Sequence, residues 1–345
     1  MSLRVERRDV DALAHGCALL GSGGGGATTQ LELLALGAPW PIEVVPADAV
    51  DPATPCLAVA LAGSTMVMTE RLPGPELLTA AVAAVQRWTG TTAPALCTLE
   101  IGGLNGLTGF VVAQGRTLLD ADCMGRALPG IDQVSLLVDG VPGLVVATTT
   151  GDGVGLVDRP RPMDAEAMVR AALRLSGGTG AVVVGGFTAG DLVEHAVTGS
   201  TTRALTLGRA FVAAREASIG NLAAAIGGRL LAQGRIQAVL TDPVDPQVQS
   251  FHLLGPGGAV HRLITRTETL ALMTDGVLIS AAPTILAVLD VRTRAVLQIT
   301  DLSPAHHIAV IELAAPTWWT DRPERLRRVT PAAYGVTDLE PGASG

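Results

Sequence analysis

The chain contains no lysine, and all 24 of its basic residues are arginine. This absence excludes a lysine that forms a Schiff base and the phosphate-binding lysine of a P-loop. Aromatic residues are also scarce, at 3% of the 345 residues, and the formal net charge is −8. Because nucleic-acid binding needs a basic surface and usually stacking aromatics, we expect no nucleic-acid partner.

Long apolar runs and paired cysteines are absent as well. No uncharged apolar stretch approaches the ~18 residues that indicate a transmembrane helix, so we expect no membrane association. The four cysteines, Cys17, Cys56, Cys97 and Cys123, show no C-x-x-C spacing. Segment 1–8 lacks the apolar core of a signal peptide. Together these features predict free thiols in a cytoplasmic protein.

The chain is rich in apolar residues, at 48%, against 16% charged residues. This composition supports large buried cores, and the length favours two domains. Strands and helices alternate over residues 1–162, which predicts an N-terminal α/β domain. The C-terminal domain, 163–345, is predicted to hold helices over 163–233. Short strand-like runs alternate with turns over 235–317, which predicts a small β-barrel-like region or a sandwich.

Hydrophobic periodicity predicts the elements around the polar motifs. Helices are predicted over Asp9–Leu20 and Thr28–Leu36, on either side of a glycine run. The continuous apolar run Cys56–Ala62 predicts a strand covered on both faces. Further predictions are a loop over Thr69–Gly74, helices over Pro75–Trp88, Leu104–Val112 and Gly220–Gln233, and strands over Ala93–Glu100, Thr117–Ala121, Val134–Val138, Ala295–Ile299 and Gly335–Asp338.

The glycine run Gly21–Gly26 lies between two predicted helices. A dinucleotide-binding fingerprint needs a strand before its glycines, so this order disfavours that function. The run is either a flexible turn or a loop of bare amides that binds an anionic or carbonyl oxygen at a helix N-terminus. The candidate binding residues in it are Gly23, Gly24, Gly25 and Gly26.

Ser64, Glu100 and Asp120 each follow the end of a predicted strand. Ligands of open α/β sheets bind beyond the carboxyl ends of strands, so we group these three side chains in one site. Burial would raise the pKa of Glu100 and make it a general acid or base; the alternative is an exposed loop carboxylate. Asn105 either holds a carbonyl or amide edge of a ligand or caps a helix. Gly103 lets the backbone approach a ligand closely.

Asp120 and Asp122 are two residues apart, which places both side chains on one face of an extended segment. With Glu100 they could bind a divalent cation through oxygen ligands, or one of them could pair with Arg126. Cys123 lies near Arg126, an environment that favours a nucleophilic thiolate; a buried, inert thiol is the alternative. The histidines show no metal-binding spacing.

Three motifs, Gly21–Gly26, Glu100–Gly106 and Asp120–Pro129, occur in this order and together resemble the S-methyl thiohydantoin desulfurase-like family over most of the chain. The resemblance implies an N-terminal three-layer α/β domain and a C-terminal part containing a β-barrel. It also implies hydrolysis at C2 of a hydantoin-like five-membered ring, with release of methanethiol or sulfide. Cys123 stands where the family usually has glycine, which argues against Cys123 as a general nucleophile.

The residues and the resemblance lead to one hypothesis, the hydrolysis of a cyclic amide, imide or thio-analogue by attack of water on C2. Glu100 or Asp122 is the expected general base. Arg126 and the amides of Gly23–Gly26 would stabilise negative charge, and Asn105 would hold a ring N–H or C=O. A divalent metal is compatible with this scheme but not required. The expected partners are a small heterocyclic substrate and, in a homo-oligomer, further copies of the chain.

Two other functions stay open. The chain could be a non-catalytic small-molecule-binding or regulatory subunit associated with hydantoinase-type enzymes. A nucleotide-binding enzyme has less support, because lysine and a strand before the glycines are both missing.

Overall fold

Two large sheets, a small two-stranded sheet and the helices packed around them form the part of the chain that the computed structural model describes. The described residues are 2–70, 74–113, 115–337 and 339. The strands are β1 (Leu3–Val5), β2 (Ile42–Val45), β3 (Pro55–Gly63), β4 (Ala95–Thr98), β5 (Thr117–Leu119), β6 (Ala121–Asp122), β7 (Val145–Thr150), β8 (Gly153–Asp158), β9 (Thr179–Thr188), β10 (Val197–Thr198), β11 (Arg229–Thr241), β12 (Gln249–Leu254), β13 (Val260–Thr265), β14 (Thr269–Thr274), β15 (Val277–Ala281), β16 (Ile285–Asp290) and β17 (His307–Leu313). The α-helices are α1 (Val10–Leu20), α2 (Thr29–Leu36), α3 (Thr65–Glu70), α4 (Pro75–Thr89), α5 (Thr108–Val112), α6 (Ser135–Val138), α7 (Pro162–Leu175), α8 (Ala189–His195), α9 (Ser200–Ala214), α10 (Ile219–Ala225), α11 (Thr317–Thr320) and α12 (Pro323–Leu326). Short 3-10 helices lie at Arg7–Asp9, Ala47–Ala49, Gly103–Leu107, Ile131–Gln133, Pro256–Gly258, Ile299–Asp301 and Pro331–Tyr334.

The first sheet is mixed, with its strands in the order β1-β2-β5-β4-β3-β9-β7-β8. The strands β2, β5, β4 and β3 run parallel, and the remaining pairs are antiparallel. Alternate residues of β3 face opposite ways, so that Leu57 and Val59 join one core while Cys56 and Ala58 join another. Helix α4 contributes to the first core and α7 to the second. The predicted α/β class and the two-sided burial of this strand are confirmed.

Strand β9 comes from the second predicted domain but belongs to the sheet of the first. It lies between β3 and β7 in the first sheet, although it follows residue 162 in the chain. Its residues Ala181 and Val183 enter one core, and Val182 and Val184 enter the other. Both halves of the sequence therefore build the first sheet. The division into 1–162 and 163–345 stays a prediction.

The second sheet is curled into a half-barrel of seven antiparallel strands, in the order β15-β14-β13-β12-β11-β17-β16. Closing a barrel requires its two outermost strands to pair with each other. Among the described residues, β15 and β16 are the outermost strands of this sheet and do not pair with each other. The small closed barrel that we expected is therefore not formed.

Glycine allows helices α1 and α9 to cross in close contact. A Cβ added at Gly16 would lie 1.8 Å from the carbonyl oxygen of Ala204, and one added at Gly208 would lie 1.5 Å from that of Ala12. Because no side chain fits at these distances, the crossing requires glycine at both positions. The crossing fixes the C-terminal end of α1, from which the run Gly21–Gly26 leaves.

Two predicted elements have the wrong secondary structure. The residues of the predicted strand Val134–Val138 mostly form helix α6, and the last amide of that segment donates to its first carbonyl at 2.9 Å. The predicted helix Gly220–Gln233 stops at Ala225, because Gly227 takes a left-handed φ of 67°. The chain then continues as β11, which pairs with β12 and β17.

The remaining differences lie near the C-terminus and in one loop. The predicted strand Ala295–Ile299 is wrong, since that segment makes only an isolated bridge, to Leu289. Residues 335–337 are not in a strand either, and Asp338 lies outside the described residues. Residues 71–73 of the predicted loop Thr69–Gly74 also lie outside them.

Candidate active site

A cavity of about 560 Å³ lies between the two sheets. One wall is formed by the ends of β3 and β4, and the opposite wall by the turn that joins β13 to β14 and by residues 298–300. Its ionisable lining residues are Glu100, Glu166, Arg170, Arg174, Arg266 and Glu268.

Half of the predicted site residues line this cavity. They are Gly23, Gly24, Gly25, Ser64, Glu100 and Asn105. The other half do not contribute to its lining; they are Gly26, Gly103, Asp120, Asp122, Cys123 and Arg126.

The three sequence motifs meet beside the cavity. The amide of Leu104 donates to the carbonyl of Gly25 at 3.0 Å, which joins the second motif to the first. A Cβ added at Gly102 would lie only 2.2 Å from the amide nitrogen of Ala127, so the second and third motifs are in direct backbone contact. Ala127 in turn donates to the carbonyl of Leu20 at 3.2 Å. Glycine is needed at these turns because the backbones approach too closely for side chains.

The glycine loop, residues Gly21–Gly26, is anchored to the second sheet. Ser22 has a positive φ of 52°, and its hydroxyl accepts a hydrogen bond from the Leu286 amide at 3.1 Å. The amide of Thr269 donates to the Ser22 carbonyl, and that of Ile299 to the Gly23 carbonyl, both at 2.8 Å. These contacts favour a fixed loop over a flexible turn.

Glu100 follows β4 and is buried, with 6% of its surface exposed. One carboxylate oxygen accepts a hydrogen bond from the Leu128 amide at 2.8 Å, and the other accepts one from the Asn105 side-chain amide at 2.9 Å. Burial raises the pKa of Glu100 to about 8, and the nearby carboxylate of Glu268 acts in the same direction. Glu100 is therefore protonated over most of the neutral range.

Asn105 holds Glu100 in place. Its side chain exchanges two hydrogen bonds with the backbone of Leu61 at the end of β3, at 2.8 and 2.9 Å. Its amide group also donates to Glu100. These contacts engage both polar atoms of Asn105 with the protein, so its main effect is to position the carboxyl group.

Glu268 is a lining residue that the sequence analysis missed. It ends the short turn between β13 and β14, and only 4% of it is exposed. One of its carboxylate oxygens accepts a hydrogen bond from the Thr267 hydroxyl at 2.7 Å. Burial raises the pKa of Glu268, and the guanidinium groups of Arg126, Arg266 and Arg170 oppose this shift. No local motif marks the residue, because the segment that buries it, the glycine loop, lies at the other end of the chain.

Arginine side chains lie at the edge of the cavity. Arg170 pairs with Glu166 at 2.6 Å and donates to the Pro129 carbonyl at 2.7 Å. Arg266 pairs with Asp245 at 2.9 Å. Arg170 is exposed and Arg266 is half-buried, whereas the carboxyl groups of Glu100 and Glu268 are buried.

Asp122 supports the backbone of the third motif. It is fully buried, and one oxygen accepts hydrogen bonds from the amides of Ile101 (2.9 Å), Met124 (3.1 Å) and Gly125 (2.7 Å). Burial raises the pKa of Asp122 to about 6. A role of Asp122 as general base is not supported by this position, because the carboxylate binds loop amides and does not line the cavity.

Arg126 also has a supporting position. Its guanidinium group is 1% exposed and donates to the carbonyl oxygens of Pro283 (2.9 Å) and Thr284 (3.0 Å) in the second sheet region. The predicted stabilisation of substrate charge by Arg126 is not supported, because its side chain points to these carbonyls and not into the cavity.

Asp120 caps helix α9. One oxygen accepts hydrogen bonds from the amides of Thr201 at 2.8 Å and Thr202 at 3.2 Å, where helix amides lack internal partners. Cys123 is fully buried outside the cavity. A Cβ added at Gly103 would lie 2.3 Å from the Gly25 carbonyl oxygen, so Gly103 serves the packing of two loops.

The described residues contain no group of three or more histidine, cysteine, aspartate or glutamate side chains that could hold a metal ion. Glu100, Asp120 and Asp122 bind separate backbone segments, so they do not form the three-carboxylate cluster that we considered. In the same described residues no helix has the length and apolar character needed to cross a membrane.

The fold and the cavity define a class of protein, a two-part α/β protein with a carboxyl-lined cleft between a mixed sheet and a half-barrel. Models of the S-Me-THD-like N-terminal and C-terminal domains match residues 8–157 and 160–342. The chain therefore belongs to the S-methyl thiohydantoin desulfurase-like family. No functionally curated protein matches the chain. A crystal structure of a protein from Chromobacterium violaceum is similar, with a TM-score of 0.79 and 21% identity over 99% of each chain, which shows a shared fold.

Proposed function

We propose that the protein hydrolyses a thiohydantoin-type ring at C2, with S-methyl thiohydantoins as the substrate class and methanethiol as the released product. Family membership supports the substrate class. The observation that carries the proposed chemistry is Glu100, a buried carboxyl group held by Asn105 at the wall of a cavity of suitable size for a small heterocycle.

Water adds to C2 in this reaction, and the sulfur substituent leaves. Glu100 transfers a proton in the cavity, and because its pKa is raised to about 8 it begins as the acid at neutral pH. This differs from the base that we expected from the sequence alone. The Gly24 amide donates to the Gly21 carbonyl at 2.8 Å, which leaves the amides of Gly23 and Gly25, both cavity-lining residues, to stabilise developing negative charge beside the ring.

The test is the release of thiol from a matched set of rings. The purified protein is incubated with a 2-methylthio-imidazolinone, a 2-thiohydantoin and an unsubstituted hydantoin, and thiol or sulfide is measured with a chromogenic reagent. We expect methanethiol from the first ring, sulfide from the second at a lower rate, and nothing from the third. Absence of release from both sulfur-containing rings by folded protein would contradict the proposal.

Variants of Glu100 test whether the reaction takes place in the cavity. Glu100→Gln is expected to lower kcat by ~10²-fold or more, the usual contribution of a general acid or base, while the thermal midpoint does not fall below that of wild type. Glu324→Gln, a solvent-exposed substitution with the same change of side chain, is the control. Ring binding by calorimetry without turnover in wild type would instead favour a non-catalytic binding subunit.

A further inference from the structure

We propose that Glu268 is the second catalytic carboxylate of this cleft and acts together with Glu100 on the same ring. This inference rests on the proposed function and extends it, because it assigns a proton-transfer role to a residue outside the three sequence motifs.

The surroundings of Glu268 are unusual for a buried acid. Its carboxylate receives one hydrogen bond, from Thr267, and among the described residues no arginine nitrogen lies within salt-bridge distance of it. Burying a carboxylate with so few partners opposes folding. Such a group commonly marks a functional site when it faces a cavity, as Glu268 does.

The glycine loop is shaped around Glu268. A Cβ added at Gly24 would lie 2.5 Å from Cγ of Glu268 and 2.9 Å from its Oε1, so the carboxylate rests directly on the loop backbone. The next loop residue, Gly25, is in contact with Gly102, two positions after Glu100. Consecutive residues of one anchored loop therefore contact Glu268 and the segment that follows Glu100.

Neighbouring charges favour different protonation states for Glu268 and Glu100 in the free protein. Glu268 is near Arg126, Arg266 and Arg170, which favour its charged form. Arg126 also acts on Glu100, but the stronger charged neighbours of Glu100 are the carboxylates of Glu268 and Asp122, which favour its neutral form. Repulsion within the pair disfavours two charges at once, so the pair holds one proton, mainly on Glu100.

These protonation states make Glu268 the first base of the reaction and Glu100 its first acid. Glu268 removes a proton from water as its oxygen bonds to C2, and the C2=N electron pair moves onto the ring nitrogen. When that pair returns, the C2–S bond breaks, and Glu100 donates its proton to the departing thiolate, which leaves as methanethiol. Glu268 then gives its proton to the ring nitrogen while Glu100 accepts the proton of the new hydroxyl group. The product carries C2=O, and both carboxyl groups are restored.

Kinetics test the role of Glu268. Glu268→Gln is expected to lower kcat by ~10²-fold or more with little change in KM, and to remove the acidic limb of the pH profile of kcat/KM. Formate is expected to restore part of the activity of Glu268→Ala, because a small carboxylate can occupy the vacated space. Wild-type kcat in Glu268→Gln would overturn the proposal. Loss of activity with a lowered thermal midpoint and no rescue by formate would also overturn it.

A titration tests the coupling of the two acids without any substrate. Glutamate carboxyl carbons are labelled with ¹³C, and the Glu100 resonance, assigned by its absence in Glu100→Gln, is followed against pH. We expect the pKa of Glu100 to fall in Glu268→Gln, since a like charge is removed, and to be unchanged in Glu324→Gln. An unchanged Glu100 titration in Glu268→Gln contradicts the pairing. A normal shift in a protein that releases no thiol would show that the proposed function fails while the paired site stands.

Discussion

Glu100 binds its proton more tightly in the folded protein than in the unfolded chain. The unfolded chain exposes the carboxyl group to water, whereas the folded one buries it and raises its pKa to about 8 from a reference value of 4.5. Between these two values the folded state holds more protons, so the free energy of unfolding decreases as the pH rises.

A comparison of wild type with Glu100→Gln isolates this effect. The free energy of unfolding of wild type should fall relative to that of the variant between about pH 5 and pH 8, by up to ~1.4 kcal/mol per pH unit. Below and above this window the difference should be constant. Chemical denaturation at several pH values provides the measurement, and parallel curves for the two proteins would contradict the expected proton uptake.

Asp122 gives the contrasting case, in which a buried acid supports structure. Asp122→Asn keeps an oxygen acceptor for the amides of Ile101, Met124 and Gly125, so we expect a folded protein that retains most of its turnover. Asp122→Ala leaves these amides without a partner and should lower stability by about 1–3 kcal/mol or more. Thermal unfolding and thiol release distinguish the two variants. A loss of kcat in a stable Asp122→Asn protein would show that Asp122 takes part in catalysis.

At the level of residues, the sequence indicated only part of the lining of the candidate site. Glu100 could be found because it follows an apolar strand, and that position brings it to the edge of the sheet where ligands bind. Asp122 and Arg126 lie in the same motifs, but the direction of a side chain within a tight turn is not encoded in local spacing. Glu268 has no motif at all, since its burial depends on a contact between distant segments.

The glycine loop is the element that contacts both Glu268 and the segment after Glu100. The φ angle of Gly24 is not positive, so alanine causes no backbone strain there. Gly24→Ala therefore tests only the steric effect of the added methyl group. The added methyl group would meet Glu268 at 2.5 Å and the Thr267 carbonyl at 2.7 Å. We expect Glu268 to be displaced, kcat to fall, and stability to fall by about 1–3 kcal/mol, the usual effect of overpacking.

Gly220→Ala is the matched control for this substitution. Gly220 lies in helix α10, and a Cβ there would meet nothing within 4 Å. Activity should be unchanged, and stability should rise slightly, by about 0.5–1 kcal/mol, because alanine favours helix. Equal activity of the two glycine variants would argue against the positioning of Glu268 by the loop.

Elements with long, uniform patterns could be predicted, whereas short apolar runs could not. The helices around the glycine loop and the strand over Cys56–Ala62 were found near their observed bounds. Val134–Val138 is apolar over too few residues to distinguish a strand from a buried helix. The apolar positions after Gly227 fit either periodicity, and pairing with distant strands selects β11.

The first sheet of the molecule needs strand β9, which residues 1–162 do not contain. Expression of residues 1–162 alone would leave β3 and β7 without β9 between them and remove Val182, Val183 and Val184 from the two cores. We expect this fragment to be insoluble or unfolded, and co-expression with residues 163–345 to yield a soluble complex. Circular dichroism and thermal unfolding provide the readout. Cooperative unfolding of the isolated fragment would show that it folds independently.

The same long-range pairing explains which features of the whole molecule escaped prediction. The insertion of β9 and the open edge between β15 and β16 depend on partners that are remote in the chain. Local periodicity contains no information about such partners, so the sequence pattern indicated a barrel where the chain forms a half-barrel.

The anchoring of the glycine loop to Thr269, Leu286 and Ile299 has a consequence for biosynthesis. The loop is synthesised more than 240 residues before Thr269, and its last anchor is made only after Ile299 has been translated. Products of interrupted translation therefore contain the loop without its supports. The wall of the cavity that the loop forms is therefore completed only after its last anchor has been synthesised.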